Sequence, residues 1–278
     1  MARHELVSRG VWTGSRLRGI ILPVMREIAD LDKARTAAVL EELERRQRAK
    51  EDRSPGRGKL VAAVDGSVYW LSKHWLAVLN TLAFFYIGLP ILAPALMRGG
   101  VEWAGRAIYT IYSPLCHQLP QRSYFLFGPE FSYRLPELME VAGESVSGPW
   151  ANEFLGSPAL GYKIALCQRD VAIYGSILLV GVAYSLLRRR WAIRPLRWWV
   201  YILLGLVPMG LDGGYQLLSY VLPLVFPGIG LEPYETTALM RVITGTLFGW
   251  ATVWLAYPYL DESMKDVRAS LERRFGWT

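Results

Sequence analysis

The stretch Trp75–Met97, WLAVLNTLAFFYIGLPILAPALM, decides the fold class of this chain. Asn80 is its one marked polar interruption. A helix that crosses a membrane needs about 20 consecutive, mostly apolar residues, and this stretch is long enough. Helices of soluble proteins average about 11–12 residues and need a polar face, so the stretch predicts a membrane-spanning helix.

Three further apolar stretches follow along the chain. Val171–Leu187 contains no charge, Trp198–Phe226 is interrupted by polar residues at Asp212–Gln216, and the last stretch is Ala238–Tyr259. The chain is 52% hydrophobic, and that content is concentrated in these four stretches. We therefore predict an all-α integral membrane protein with about four transmembrane helices.

Basic residues close to the spans predict the orientation, because the cytoplasmic ends of membrane helices carry an excess of Lys and Arg. The link at 188–197 reads RRRWAIRPLR, and the N-terminal region and the C-terminal tail are also basic. The long link between the first two stretches instead carries Glu130, Glu137, Glu140, Glu144 and Glu153. This pattern predicts cytoplasmic N- and C-termini in a multi-pass protein of the plasma membrane, the inner membrane of a bacterium.

The same patterns divide the chain into three regions. Residues 1–65 predict a cytoplasmic helical region that ends in a linker rich in Pro and Gly. Residues 66–260 form the predicted transmembrane domain, in which residues 124–165, rich in Gly, Pro, Ser and Glu, are expected to be an outer cap loop. Residues 261–278 form the predicted cytoplasmic tail.

Polar segments stand at the ends of the apolar stretches. The first is LCHQLPQRS (115–123), the second is LCQRD (166–170), and the others are Asp212–Gln216, Glu235 and Arg241. A charged group at a helix centre costs about 2.5–3.5 kcal/mol on insertion scales, so such groups are candidates for a functional site. Successive spans run in opposite directions, which predicts that all these segments converge at the outer mouth of the bundle.

Four of these residues predict a metal site: Cys116, His117, Cys167 and Asp170. Thiolate, imidazole and carboxylate are ligands that suit zinc or iron. Cys167 and Asp170 are three residues apart, so they share a helix face. Pro120 disfavours helical geometry in the residue before it, which favours an irregular backbone near Cys116 and His117.

The same two cysteines allow other interpretations. They are the only cysteines of the chain, and both are predicted to lie outside the cytoplasm, where disulfides persist. A disulfide between Cys116 and Cys167, or two separate packed thiols, therefore stands beside the metal site as an alternative.

Arginines at the same mouth predict an anion site, because the guanidinium group pairs with phosphate or carboxylate through two hydrogen bonds. The predicted anion-binding residues are Arg122, Arg169, Arg241, Gln118 and Gln216. The candidate catalytic residues are Asp212, Glu235 and His117, of which Asp212 or Glu235 would serve as a base beside a bound phosphate. The alternative is a structural network of ion pairs that holds the helix ends together.

Glycines indicate local features of the third and fourth stretches. Gly213 and Gly214 predict a broken helix next to Asp212, and broken helices at membrane depth often line ligand sites. Gly245 and Gly249 form a small-xxx-small pattern on the same face as Arg241, which predicts close helix packing that buries this arginine.

Together these motifs resemble those of the domain-of-unknown-function family DUF2085, a family of predicted prokaryotic membrane proteins. The resemblance rests on CHQLPQRS (116–123), CQRDVAIYG (167–175), Asp212-Gly213 with Gln216, and Arg241 with Thr244-Gly245. It extends over about residues 111–249. Many relatives place a second cysteine where this chain has Asp170, which implies a retained ligand and favours the metal over a disulfide. The family has no settled activity, so the resemblance implies fold and site rather than function.

Three functions fit these features. The first is a membrane enzyme or carrier that binds or acts on an anionic lipid or isoprenoid headgroup. The second is a membrane subunit that handles a metal or a redox reaction, and the third is a structural or assembly subunit of a larger membrane complex. The expected partners are membrane lipid and other membrane subunits. We expect no nucleic acid, and the sequence has neither a P-loop nor a Gly-rich dinucleotide motif.

Overall fold

The computed structural model describes residues 36–46, 55–148, 150–226, 228, 230–232 and 234–276. Of the predicted N-terminal region (1–65), residues 1–35 and 47–54 lie outside the described residues. The chain divides into two compact units, Met1–Val68 and Tyr69–Thr278. In the first unit, residues 36–46 form helix α1. Of the described residues, 74% are helical, as expected for a predominantly α-helical membrane protein.

Three long helices dominate the described residues: α2 (Pro55–Arg98), α5 (Gln168–Leu187) and α8 (Ala238–Phe275). In the part of the chain that the structure describes, these three are long and apolar enough to cross a membrane. Large apolar side chains cover their outer surfaces; Phe84, for example, is 57% exposed and Leu179 73% exposed. Extensive exposed apolar surface is typical of contact with lipid.

The predicted third span is also helical, but it is not uniform. It consists of α6 (Trp198–Tyr201), a π-helical turn (Ile202–Leu206) and α7 (Val207–Val225). The break predicted at Gly213 and Gly214 is wrong, because α7 continues through both residues. The irregular turn lies earlier, because the proline at position 208 cannot donate the helical hydrogen bond to the residue four positions before it.

Helix α8 packs closely against α5 through two glycines. A Cβ atom added at Gly249 would lie 2.4 Å from the Ile173 carbonyl oxygen, and one at Gly245 would lie 2.9 Å from that of Arg169. Any larger residue would therefore separate the two backbones. The small-xxx-small contact predicted from the sequence is confirmed, and Arg241 on the same helix is 4% exposed.

The segment predicted as an outer cap loop is folded. After α3 (Glu102–Tyr112) come β1 (Ser123–Leu126), α4 (Leu135–Ala142), β2 (Gly156–Ser157) and β3 (Gly161–Cys167). The strands form one antiparallel sheet in the order β1-β3-β2. The cap, residues 123–167, has its own core of Phe125, Leu138, Val146 and Leu160.

The cap also corrects the all-α prediction to a mostly helical fold. Its Gly, Pro and Ser residues dominate the composition that predicted a loop, yet several of them, such as Gly156, Ser157 and Gly161, lie in the strands. The short apolar run in β3 is a strand because it pairs with β1 on one side and β2 on the other. Such pairing depends on residues distant in sequence, and strand propensity is strongly context-dependent.

Candidate functional site

The small sheet brings the two cysteine motifs side by side. Strand β1 begins at Ser123, the last residue of the first motif, and β3 ends at Cys167, within the second motif. Because the strands are antiparallel, Ser123 lies opposite Cys167 in the register. Helix α5 then starts at Gln168, so the sheet positions the N-terminus of α5 against the first motif.

The first motif has an irregular backbone, centred on Gln118. This residue has φ 51°, in the left-handed region that few residues other than glycine adopt. Its side-chain amide donates to the Tyr109 carbonyl oxygen (2.9 Å), and its own carbonyl oxygen accepts from Lys163 Nζ (2.6 Å). The amide predicted to bind an anion is therefore engaged in holding the motif to α3.

Lys163 connects this motif to the cap. Its side chain is fully buried on β3, and Nζ also donates to the Asn152 carbonyl oxygen (2.7 Å). Burial disfavours the charged form and lowers the pKa of Lys163 to about 7. The sequence analysis missed this residue, although a lone lysine in the apolar run GYKIALC is a signal that buried acceptors must surround it.

Two thiols and one carboxylate converge beside the motif. The Sγ atoms of Cys116 and Cys167 and a carboxylate oxygen of Asp170 all lie within 4.8 Å of one another. Both cysteines are free. The Cys167 backbone N–H donates to Cys116 Sγ (3.2 Å), the Asp170 N–H donates to Cys167 Sγ (3.5 Å), and the Cys167 thiol donates to Asp170 Oδ2 (3.2 Å). His117 is exposed and lies outside this three-residue group.

The surroundings shift the pKa values of the two thiols in opposite directions. The hydrogen bond with Cys116 lowers the pKa of Cys167, and the Asp170 N–H at the start of α5 acts in the same direction. The hydrogen bond to Cys167, together with burial, raises the pKa of Cys116. Cys167 is therefore the thiol that loses its proton first.

Arg169 pairs with Asp212 across the helices α5 and α7. Its Nη2 donates to Asp212 Oδ2 (2.6 Å), and Thr244 Oγ1 lies 3.2 Å from the same oxygen. A Cβ atom added at Gly213 would lie 2.9 Å from Arg169 Nη1, so this glycine makes room for the guanidinium group. The Arg169 Nε atom is buried and has no hydrogen-bond partner among the described residues.

Glu235, in the link between α7 and α8, pairs with the other two arginines. Arg122 reaches Oε1 through Nη2 (2.5 Å) and Nε (2.9 Å), while Arg241 Nη2 reaches Oε2 (2.5 Å). Gln216 Nε2 also donates to Oε2 (2.9 Å). Arg241 makes a second hydrogen bond, to Gln168 Oε1 (3.1 Å), which the sequence analysis did not anticipate.

The two thiols, Asp170, Gln216 and the three arginines border one cavity of about 220 Å³, here called the Cys–Arg cavity. Its lining consists of Leu115, Cys116, His117, Gln118, Leu119, Arg122, Cys167, Arg169, Asp170, Gln216 and Arg241. A second cavity of about 500 Å³, here called the cap-side cavity, shares Arg122 and Arg169 with it and extends to Val146 and Leu217. Asp212 and Glu235, the predicted bases, hold the arginines of this site through ion pairs.

The comparisons with known proteins agree with this architecture. Residues 159–255 match the family model of DUF2085, described as a predicted membrane protein. The match includes Cys167, Asp212 and Arg241 and begins after the Cys116 motif. The "Uncharacterized protein MJ1492" of Methanocaldococcus jannaschii is 27% identical over 198 residues, which cover 69% of this chain and 96% of that protein. No solved structure matches the chain. The chain therefore carries a region, residues 159–255, that matches DUF2085, a family of predicted membrane proteins, and the resemblance predicted from the sequence is confirmed over that region.

Proposed function

We propose that the Cys–Arg cavity binds the phosphate of an anionic lipid headgroup at the outer surface of the membrane. In this proposal four helical segments cross the membrane, namely α2, α5, the α6–α7 pair and α8, and both termini are cytoplasmic. The basic link 188–197 follows the C-terminus of α5, whereas the Cys–Arg cavity lies at its N-terminus. Basic links favour the cytoplasmic side, so the cavity faces outward.

The pattern of ion pairs at the cavity carries the proposal. Three arginines, Arg122, Arg169 and Arg241, border it, and two carboxylates, Glu235 and Asp212, pair with them. The third nearby carboxylate, Asp170, is hydrogen-bonded to Cys167 instead. Asp170 forms no ion pair with the arginines, so three guanidinium groups have only two carboxylate partners, and Glu235 is shared between Arg122 and Arg241. A phosphate is the anion that guanidinium groups bind best, because its oxygens match their paired N–H donors.

Glu235 occupies the position that a phosphate would take. It accepts from Arg122 and Arg241 at once, and its side chain is 33% exposed, whereas that of Arg241 is 5% exposed. A phosphate that enters from the cavity would replace this carboxylate between the two guanidinium groups. The displaced Glu235 would then be free to accept a proton, which is the role of a general base.

The surroundings favour a lipid over a soluble phosphate compound. The cap-side cavity is lined partly by Leu119, Leu135, Val146 and Leu217, and it adjoins the arginines directly. Leu217 is also 64% exposed on the surface of α7, so apolar surface leads from the outside of the helix to the cavity. An acyl or isoprenoid chain fits such a path, while its phosphate lies at headgroup level, beside the arginines.

Lipid analysis of the purified protein tests this function. Arg241→Gln should remove most of the copurified phosphate-bearing lipid detected by mass spectrometry, because the remaining arginines are then matched by Glu235 and Asp212. Arg194→Gln, in the exposed part of the basic link, is the matched control and should retain the lipid. If Arg241→Gln lowers the unfolding temperature but leaves the lipid content unchanged, the arginines form a structural network and the proposal is wrong.

A further inference from the structure

We propose that Cys116, Cys167 and Asp170 bind one zinc ion. The proposal rests on the geometry of the thiols and does not depend on anion binding by the arginines. Three donor atoms of the types that zinc prefers lie within 4.8 Å of one another. The Cys167 thiol donates a hydrogen bond to Asp170 Oδ2, so these two groups already lie where one cation would contact both.

Backbone hydrogen bonds to the sulfur atoms give independent support. Each sulfur accepts a backbone N–H, Cys116 from Cys167 and Cys167 from Asp170. An N–H that points at sulfur stabilises the negatively charged thiolate, which is the form that binds metal. Cys167 is also the N-cap of α5, where the helix dipole favours negative charge.

The ligands are held in place before any ion arrives. The β1–β3 pairing fixes Cys167, and the left-handed turn at Gln118, secured by Tyr109 and Lys163, fixes the chain beside Cys116. Cys116 is buried in a cluster with Tyr109, Tyr112 and Ile164. Rigid placement by surrounding hydrogen bonds is what a tight metal site requires.

The donor set indicates both the metal and the kind of site. Two thiolates and one carboxylate suit zinc, which usually takes four ligands in a tetrahedron. Three ligands from the protein leave one position open, and the Cys–Arg cavity next to all three provides room for water or an anion there. Sites with an open position are typical of catalytic rather than structural zinc.

Metal titration of the full chain in detergent tests the proposal. We expect the reduced, chelator-treated protein to bind one Co²⁺ per chain, with the charge-transfer absorption that thiolate–cobalt bonds produce. Zn²⁺ should then displace the cobalt and protect both thiols from a thiol-reactive dye. Cys167→Ser should abolish the absorption, and Asp170→Asn should weaken cobalt binding by at least about tenfold. His74→Ala is the control, because His74 is an exposed histidine of α2 that belongs neither to the group nor to the lining of the cavity.

Two results would overturn the zinc site, and the first needs no variant. Equal reactivity of both thiols with and without Zn²⁺ in the wild-type protein would exclude the two cysteines as ligands. A mass lower by two hydrogens in the isolated protein, with no cobalt bound after reduction, would assign a disulfide instead. If Arg241→Gln loses the lipid but still binds cobalt, metal binding by the thiols does not depend on anion binding by the arginines.

Discussion

Replacing Gly213 by alanine tests whether the Arg169–Asp212 pair is built against the backbone of α7. A Cβ atom at this position would lie 2.9 Å from Arg169 Nη1, which is closer than such atoms normally approach. The guanidinium group must move by a few tenths of an ångström. The hydrogen bond of 2.6 Å between Arg169 Nη2 and Asp212 Oδ2 then lengthens or bends.

Gly214 provides the control that isolates this effect. Nothing lies within 4 Å of a Cβ atom added there. Alanine is favoured over glycine inside a helix by about 1 kcal/mol, and both variants receive that gain, so it cancels in the comparison. A hydrogen bond between charged groups contributes about 1.5–3 kcal/mol, and losing part of it should leave Gly213→Ala less stable than Gly214→Ala by about 1 kcal/mol.

Equilibrium unfolding in mixed detergent measures the difference between the two variants. The same comparison in an Asp212→Asn background should reduce it, because the charged partner is already absent. Equal stability of Gly213→Ala and Gly214→Ala would show that the Arg169 guanidinium group does not pack against the backbone of α7 at Gly213.

Three further predictions address the cap, the helix packing and the topology. Burial lowers the pKa of Lys163 to about 7 from 10.5. Between these pH values the unfolded chain binds more protons than the folded one, so the free energy of unfolding should rise with pH. Urea unfolding of Lys163→Met should show no such rise. Gly249→Ala should destabilise the protein by about 1–3 kcal/mol in thermal unfolding, because its Cβ would lie 2.1 Å from a side-chain oxygen of α5, whereas Gly210→Ala, with open space, should not. A cysteine at Ser145 should react with an impermeant reagent on intact cells and one at Ser270 should not; the reverse pattern would invert the proposed orientation.

Local patterns in the sequence predicted local features of the structure well. The spacing of Gly245 and Gly249 predicted close packing of α8, because backbone approach depends on residues within one helix. Pro120 predicted an irregular backbone near the first motif, and Leu119 before it is extended, with ψ 132°. Both features follow from the covalent geometry of a few neighbouring residues.

Features that depend on distant partners were not predictable in the same way. The sequence contains three carboxylates that could pair with the three arginines. In the structure Glu235 pairs with two of the arginines, and Asp170 accepts a hydrogen bond from Cys167 instead. The strands of the cap were missed because each is stabilised by pairing with a segment far along the chain. Gly213 was interpreted as a helix break, yet its role is to accommodate Arg169 from another helix.

The binding of a short-chain phosphatidic acid to the Glu235→Gln variant tests the central claim most directly. If Glu235 occupies the phosphate position between Arg122 and Arg241, neutralising it removes a competing anion and keeps the side-chain shape. A charged hydrogen bond of at least about 1.5 kcal/mol corresponds to roughly tenfold tighter binding of the lipid phosphate. Isothermal titration in detergent should show this increase, whereas unchanged or weaker binding would contradict an anion site at these arginines.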